Sequence, residues 1–247
     1  MLTSARFLLF ICLLLTIGVS QAQVKKPVAK KTTLVKAKYP KKPIVKSALK
    51  PVKAIGTRVK ITTDVGDILV RLYDKTPQHR DNFIKLVNNH FYDSLLFHRV
   101  IAGFMIQGGD PESRNAQPGI MLGKGDAGYT IPAELDSTLY HKKGVLAAAR
   151  NDNPEKASSG CQFYIVQGKK YTDDELNMIE MQRGIHLSSA KRMTYKMLGG
   201  TPTLDMNYTV FGEVESGIET VDKIAQAEKD NFNRPLKDIH MKMEVVK

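Results

Sequence analysis

The chain has 247 residues, 42% of them hydrophobic, with 37 lysines and arginines, 25 acidic residues and two cysteines, a length that supports one sizeable core and is short for two full domains. The formal net charge of +12 sits at one end: residues 25–53 hold eleven lysines and no acid, Arg6 adds one more basic group, and the remainder sets 25 basic residues against 25 acidic ones. A neutral domain on a basic leash argues against a phosphate-gripping fold, which needs Lys and Arg clustered on the binding surface, so no specific nucleic-acid partner is expected.

The N-terminus opens with Arg6 and the apolar run 7–15, and closes on Ser20-Gln21-Ala22, where small residues two apart suit signal peptidase. The run is too short for a membrane span, which takes about 20 apolar residues. Residues 1–22 are therefore expected to be a signal peptide cleaved after Ala22, leaving a periplasmic or secreted protein. Cys12 follows Ile11 where a lipoprotein signal wants a small residue, so lipidation is not expected. Cys161 is then the one cysteine left, no intramolecular disulfide can form, and the fold must rest on its core.

Residues 23–55 repeat Lys, Pro, Val and Ala, with Lys-Lys-Pro at 25–27 and 41–43, and show no sustained period. Such a stretch buries too little apolar area to offset the entropy of ordering it, and reads as a disordered linker. A second reading is an arm making weak contact with anionic surfaces, where each lysine adds roughly 1 kcal/mol.

The domain at 56–247 opens with Val59, Ile61 and Thr63, then Ile68, Val70 and Leu72, alternating about Asp64-Val65-Gly66-Asp67: a hairpin with one buried face. Thr76 then caps a helix starting at Pro77 that turns Phe83, Ile84, Leu86 and Val87 to the core. Strand-like runs follow at 95–101, 104–107, 145–149, 162–166 and 209–214, and a last one at 239–245 alternates with Lys242 and Glu244 outward. Many short strands and few long helices predict a mostly β fold, a closed or nearly closed antiparallel barrel. Residues 171–199 break the pattern with two helices: Thr172 and Glu175 form a capping box, Gly184 ends the first, and Ser188 or Ser189 opens the second. On that second helix Ala190, Met193 and Met197 share one face. This helical insertion reads as a packed surface element or as a partner-binding lid.

The stretch Phe97-His98-Arg99-Val100-Ile101-Ala102-Gly103-Phe104-Met105-Ile106-Gln107-Gly108-Gly109-Asp110 puts one Arg, one Gln and several apolar residues on adjacent strands. Alternation places Phe97 with Arg99, and Met105 with Gln107. An arginine aimed into an apolar groove costs free energy unless something uses it, so the bare pattern suggests a carbonyl-rich or anionic ligand.

This stretch resembles the cyclophilin signature, and three further blocks match in family order: Gly144-Val145-Leu146-Ala147-Ala148-Ala149, Ser159-Gly160-Cys161-Gln162-Phe163-Tyr164-Ile165 and Thr209-Val210-Phe211-Gly212-Glu213-Val214. The resemblance covers roughly residues 57–247, interrupted by the insertion. It implies a closed eight-stranded barrel capped by two helices, peptidyl-prolyl cis-trans isomerase activity and no cofactor. By position, Arg99 matches the catalytic arginine and Gln107 the glutamine that holds it. Phe104, Met105 and Leu204 match walls of the proline pocket, and His98, Ala149 and Gln162 match the substrate groove. Tyr164 stands where a pocket phenylalanine is usual, Arg150 where an asparagine contacts substrate, and Tyr208 where a histidine is common. Thr203, in place of a tryptophan, implies weak cyclosporin binding.

No metal site is expected, since His79, His90 and His141 have no tight ligand spacing with His98. The expected partners are proline-containing polypeptides, bound by a monomer. The competing reading is a proline-peptide binding module or chaperone with incidental turnover.

Overall fold

The computed structural model describes residues 56–246; the expected signal peptide, the Lys/Pro-rich segment and Lys247 lie outside the described residues. The first hairpin pairs β1 (Arg58–Thr63) with β2 (Gly66–Leu72) in the register Val59↔Val70 and Ile61↔Ile68, and these four side chains are wholly buried. The turn is the two residues Asp64 and Val65, since Thr63 pairs with Gly66, whose φ of +142° suits glycine.

The remaining strands are β3 (Leu95–Leu96), β4 (Arg99–Ile101), β5 (Met105–Gly108), β6 (Thr130–Ile131), β7 (Val145–Ala148), β8 (Ser158–Ser159), β9 (Phe163–Val166), β10 (Val210–Ser216) and β11 (His240–Val246). Nine of the eleven strands form one antiparallel sheet in the order β3-β11-β1-β2-β10-β7-β9-β5-β4, and β6 pairs with β8 separately. The ladder is open, with nine strands rather than the closed eight that the resemblance implied. The difference arises at Phe97-His98, where the single expected strand at 95–101 divides: Leu96 pairs with His240 on β11, whereas Arg99 pairs with Gln107 on β5. The sheet thus curls until its two edge strands are separated in the chain only by Phe97 and His98.

The break also changes which side chains share a face. Phe97 and Val100 sink into the inner core with Ile61, Val70, Ile106 and Phe163, while Met105, Tyr164 and Val166 pack in a second cluster on the outer face of β5, β9 and β7. The expected pairing of Phe97 with Arg99 is therefore wrong, because two irregular residues shift the period-2 alternation. Met105 and Gln107 do share the outer face.

Helix α1 (Pro77–Asn88) covers the inner core with Phe83, Leu86 and Val87. Thr76 stands at its N-cap, yet its hydroxyl makes no cap bond. Glu134 caps it instead, accepting from Gln78 N at 3.1 Å and His79 N at 2.9 Å. A helix that the strand-and-turn reading did not contain, α4 (Ile218–Ala225), buries Val221, Ile224 and Ala225 against the same core. The insertion folds into α2 (Asp173–Arg183) and α3 (Ser189–Met197), with the Thr172–Glu175 capping box, Gly184 left-handed at φ +60° and Ser188 as the second N-cap. Its core is Leu176, Leu187 and Tyr195. Ala190, Met193 and Met197 face solvent, because Tyr195 and the ion pairs of Arg192 and Lys196 with Asp173 set the rotation of α3. No helix among the described residues is long and apolar enough to cross a membrane.

Candidate active site

Three neighbouring strands bring the site together. The register sets Arg99 opposite Gln107 between β4 and β5, and Gln107 opposite Tyr164 between β5 and β9. Arg99 Nη1 donates to Gln107 Oε1 at 3.1 Å, and Gln107 Nε2 donates to Gln162 Oε1 at 3.0 Å. Gln162 Nε2 in turn donates to the carbonyls of Gly123 and Gly125, at 3.1 and 2.6 Å. The guanidinium is thereby anchored through two amides to backbone. Burial draws the Arg99 pKa below its ordinary value, but a guanidinium stays charged at any working pH.

Beside Arg99 lies a pocket of about 150 Å³ whose walls are Phe104, Met105, Tyr164, Leu204 and Tyr208, with Gln107, Ala149 and Arg150 at its rim. Arg150 lies over the Tyr208 ring, 4.8 Å from its centroid, and donates to the Asn207 carbonyl at 3.0 Å. The two departures at 150 and 208 thus belong together, an aromatic face stacked beneath a guanidinium. An adjoining groove of about 420 Å³ shares Gln107, Ala149 and Arg150 and runs on past Gln162, Gly125 and Tyr129 to Asn151.

Ten of the eleven candidate site residues therefore line one pocket or the other. His98 does not. It is 2% exposed, beneath the groove floor, where a Cβ placed on Gly123 would meet its Nε2 at 3.5 Å. Neither of its ring nitrogens has a partner in hydrogen-bond geometry. Burial pushes its pKa down to about 4, aided by Arg99 and Arg234 and opposed by Asp110. The cause of its misplacement is again the break at Phe97-His98, which turns this ring inward.

Sequence reading missed His141 and Asp205, which stand behind Tyr164. Their backbone and ring contacts join positions 64 apart, and no spacing rule links them. Among the described residues no group of three His, Cys, Asp or Glu side chains stands close enough to hold a metal ion.

Comparison with known proteins decides the family. The model of cyclophilin-type peptidyl-prolyl cis-trans isomerases matches residues 58–245. The chain belongs to this family. It is 32% identical over 187 residues to the human peptidyl-prolyl cis-trans isomerase-like 3, covering 74% of this chain and 92% of that protein. It is 35% identical over 189 residues to a Streptococcus pyogenes protein named as a bifunctional phosphatase and peptidyl-prolyl cis-trans isomerase; 74% of this chain is covered but only 37% of that longer protein. A crystal structure of a Cryptosporidium parvum cyclophilin, obtained in the presence of the dipeptide Ala-Pro, superposes with a TM-score of 0.55 at 23% identity. That match covers 77% of this chain and 99% of the other, and at that identity it speaks for the fold. The chain is accordingly a cyclophilin-type peptidyl-prolyl cis-trans isomerase. In this cyclophilin the insertion at 171–199 lies between β9 and β10, directly before the turn that carries Leu204.

Proposed function

We propose that this isomerase accelerates X-Pro isomerisation in exported or envelope polypeptides, acting as a monomer, with Arg99 stabilising the twisted imide. Rotation about the X-Pro bond is slow because amide resonance gives its C–N bond partial double-bond character, with a barrier of roughly 18–20 kcal/mol. No proton needs to move. At the twisted geometry resonance is lost and the lone pair returns to the prolyl nitrogen, which becomes an acceptor. A guanidinium aimed at that nitrogen binds the transition state better than either planar state. The observation that carries this reading is a half-buried Arg99, held by Gln107, at the edge of a small apolar slot.

Magnitudes divide the work. One charge-assisted hydrogen bond contributes about 1.5–3 kcal/mol, and each 1.36 kcal/mol is tenfold in rate, so Arg99 supplies about one or two powers of ten. The slot supplies more by holding the ring while the preceding carbonyl swings. The Ala-Pro dipeptide used with the C. parvum relative supports proline peptides as ligands for Phe104, Met105, Tyr164 and Leu204. Gln162, Ala149 and the rest of the groove would receive the flanking chain, and His98 acts only from beneath.

The test is a protease-coupled or NMR exchange assay on an X-Pro peptide. Arg99→Ala is expected to lose roughly ten- to a hundred-fold in kcat/KM with its fold intact. Arg99→Lys is expected to stay poor because lysine lacks the rigid fork; near-wild-type turnover there would count against the mechanism.

Export rests on residues 1–22, and a mature N-terminus at Gln23 in protein recovered from the periplasm or medium tests it. The eleven lysines of the arm would add weak contact with anionic surfaces, measured as vesicle binding that fades with salt. A chaperone-like second reading is favoured by the exposed Met178, Met181, Met193 and Met197 on the insertion, since flexible methionines suit varied apolar partners. Met181→Glu with Met193→Glu separates the two: unchanged peptide turnover with lost protection of aggregating clients supports that role, and unchanged protection removes it.

A further inference from the structure

The slot wall Tyr164 belongs to a buried hydrogen-bond chain that runs out of the active site into the helical insertion. His141 engages Asp205 twice: its backbone N–H donates to Oδ1 at 2.8 Å, and its Nδ1 lies 3.0 Å from the same oxygen. A carboxylate only accepts, so Nδ1 carries a proton, and in the neutral imidazole Nε2 is left as an acceptor. The Tyr164 hydroxyl then donates to Nε2 across 2.9 Å. On the far side of the carboxylate, the Tyr195 hydroxyl donates to Oδ2 at 2.8 Å.

All four side chains are buried, at 5% exposure for Tyr164, 1% for His141, 3% for Asp205 and 0% for Tyr195. In such surroundings a broken link leaves a neighbour unpaired, so each member constrains the next. The chain meets the slot at one wall: Tyr164 is its last member, and a second wall residue, Leu204, immediately precedes Asp205 in sequence. Tyr195 is the member supplied by α3, and its ring packs edge-on against Tyr140 and Tyr171, with centroids at 5.6 and 6.3 Å. Gly200, at φ +153°, permits the close approach: a Cβ there would stand 2.2 Å from the His141 carbonyl oxygen and 2.7 Å from the Tyr195 ring.

We infer that Tyr195 is a positioning residue for prolyl isomerisation, holding the Tyr164 ring in place through Asp205 and His141. The inference rests on the reading of the slot as the proline site. It also gives the tyrosine at 164 a reason. A phenylalanine there would need no partner, whereas a phenol in a sealed wall needs one, and the chain provides it. The insertion is then part of the active-site wall rather than an appendage.

A double-mutant cycle in kcat/KM tests this on the full domain, with Tyr195→Phe, Tyr164→Phe and the pair. Tyr195→Phe removes one oxygen and keeps the ring. It is expected to lower kcat/KM by about three- to ten-fold, chiefly through KM, and to shift the ring resonances of ¹³C-labelled Tyr164. In the Tyr164→Phe background the same substitution is expected to change kcat/KM by less than about twofold. Independent, multiplying effects, or a Tyr195→Phe variant with wild-type kcat and KM, would overturn the inference. Should Tyr195→Phe fail to fold, Asp205→Asn against Tyr164→Phe supplies the same cycle. Arg99→Ala run alongside separates the two readings: loss there with an additive cycle sinks only the positioning role, whereas full activity there sinks the slot assignment itself.

Discussion

Arg99 and Gln107 face each other across the β4–β5 ladder and are joined by one hydrogen bond of 3.1 Å. Gln107 therefore spends its carbonyl on the guanidinium and its amide on Gln162, which is itself tied to the carbonyls of Gly123 and Gly125. A relay of amides orients a charge without neutralising it, as suits the donor role proposed for Arg99. Gln107→Ala is expected to cost about five- to thirty-fold in kcat/KM, and Gln107→Glu more, because a carboxylate would pair with Arg99 and leave Gln162 without its donor. Gln162→Ala should weaken turnover less, and the double variant should lose less than the product of the single losses. Steady-state assays on one X-Pro peptide decide; multiplicative losses would show that the relay does not act as a unit.

The start of α1 offers a stability contrast between two neighbours of the same backbone. Glu134, 12% exposed at its side chain, accepts from two helix N–H groups and from His79 Nδ1 at 2.6 Å. Thr76, at the nominal cap position, leaves its hydroxyl buried and unpartnered. Glu134→Ala is expected to destabilise the domain by about 2 kcal/mol, while Thr76→Val should be neutral or stabilising. Urea midpoints of the two variants read this directly. A larger loss for Thr76→Val than for Glu134→Ala would reverse the assignment of the cap.

Why was the ordinary cap residue legible and the real one not? Thr76-Pro77, the hairpin about Asp64-Val65, the Thr172–Glu175 box and Gly184 are local signals, written within a few positions of the structure they produce. The slot residues were legible for a different reason: four ordered blocks resembled one family, and alternation set Met105 and Gln107 on the same side. What escaped was long-range. Glu134 reaches α1 from 55 positions away, and His141 meets Asp205 across 64. The Phe97-His98 break depends on which edge each half of the strand pairs with, and composition carries no trace of that. The same break sends His98 inward. On α3 periodicity groups Ala190, Met193 and Met197 on one face but cannot tell an apolar face from a buried one, and Tyr195 takes the buried side.

Cys161 tests the view that the fold rests on packing alone. It is 3% exposed, and burial pushes its thiol up to about 11, although the Ser159 hydroxyl, with its oxygen 3.9 Å from the sulfur, opposes this. At pH 8 about 0.1% of such a thiol is thiolate, and that small fraction is also shielded. In protein lacking residues 1–22, a disulfide-exchange reagent is expected to react orders of magnitude more slowly with the native state than in urea, releasing one equivalent on unfolding. Prompt reaction in the native state would mean that the bend between β8 and β9 that carries Cys161 opens readily.

Acid stability is the last expectation, and it follows from His98. Its ordinary pKa of 6.5 falls to about 4 in the fold, through burial first and the nearby Arg99 and Arg234 second. Above pH 6.5 the ring is neutral in both folded and unfolded chains, so it contributes no pH dependence. Between pH 6.5 and 4 the unfolded chain takes up a proton that the folded chain refuses, so stability falls with acidification, by up to about 1.4 kcal/mol per pH unit and on the order of 3 kcal/mol across the window. His79, whose pKa burial also lowers, acts in the same direction. Wild type should show a lower urea midpoint at pH 5 than at pH 7.5, and His98→Leu should flatten that difference while leaving the slot residues in place. Equal pH slopes in the two proteins would mean that the ring is not neutral beneath the groove floor.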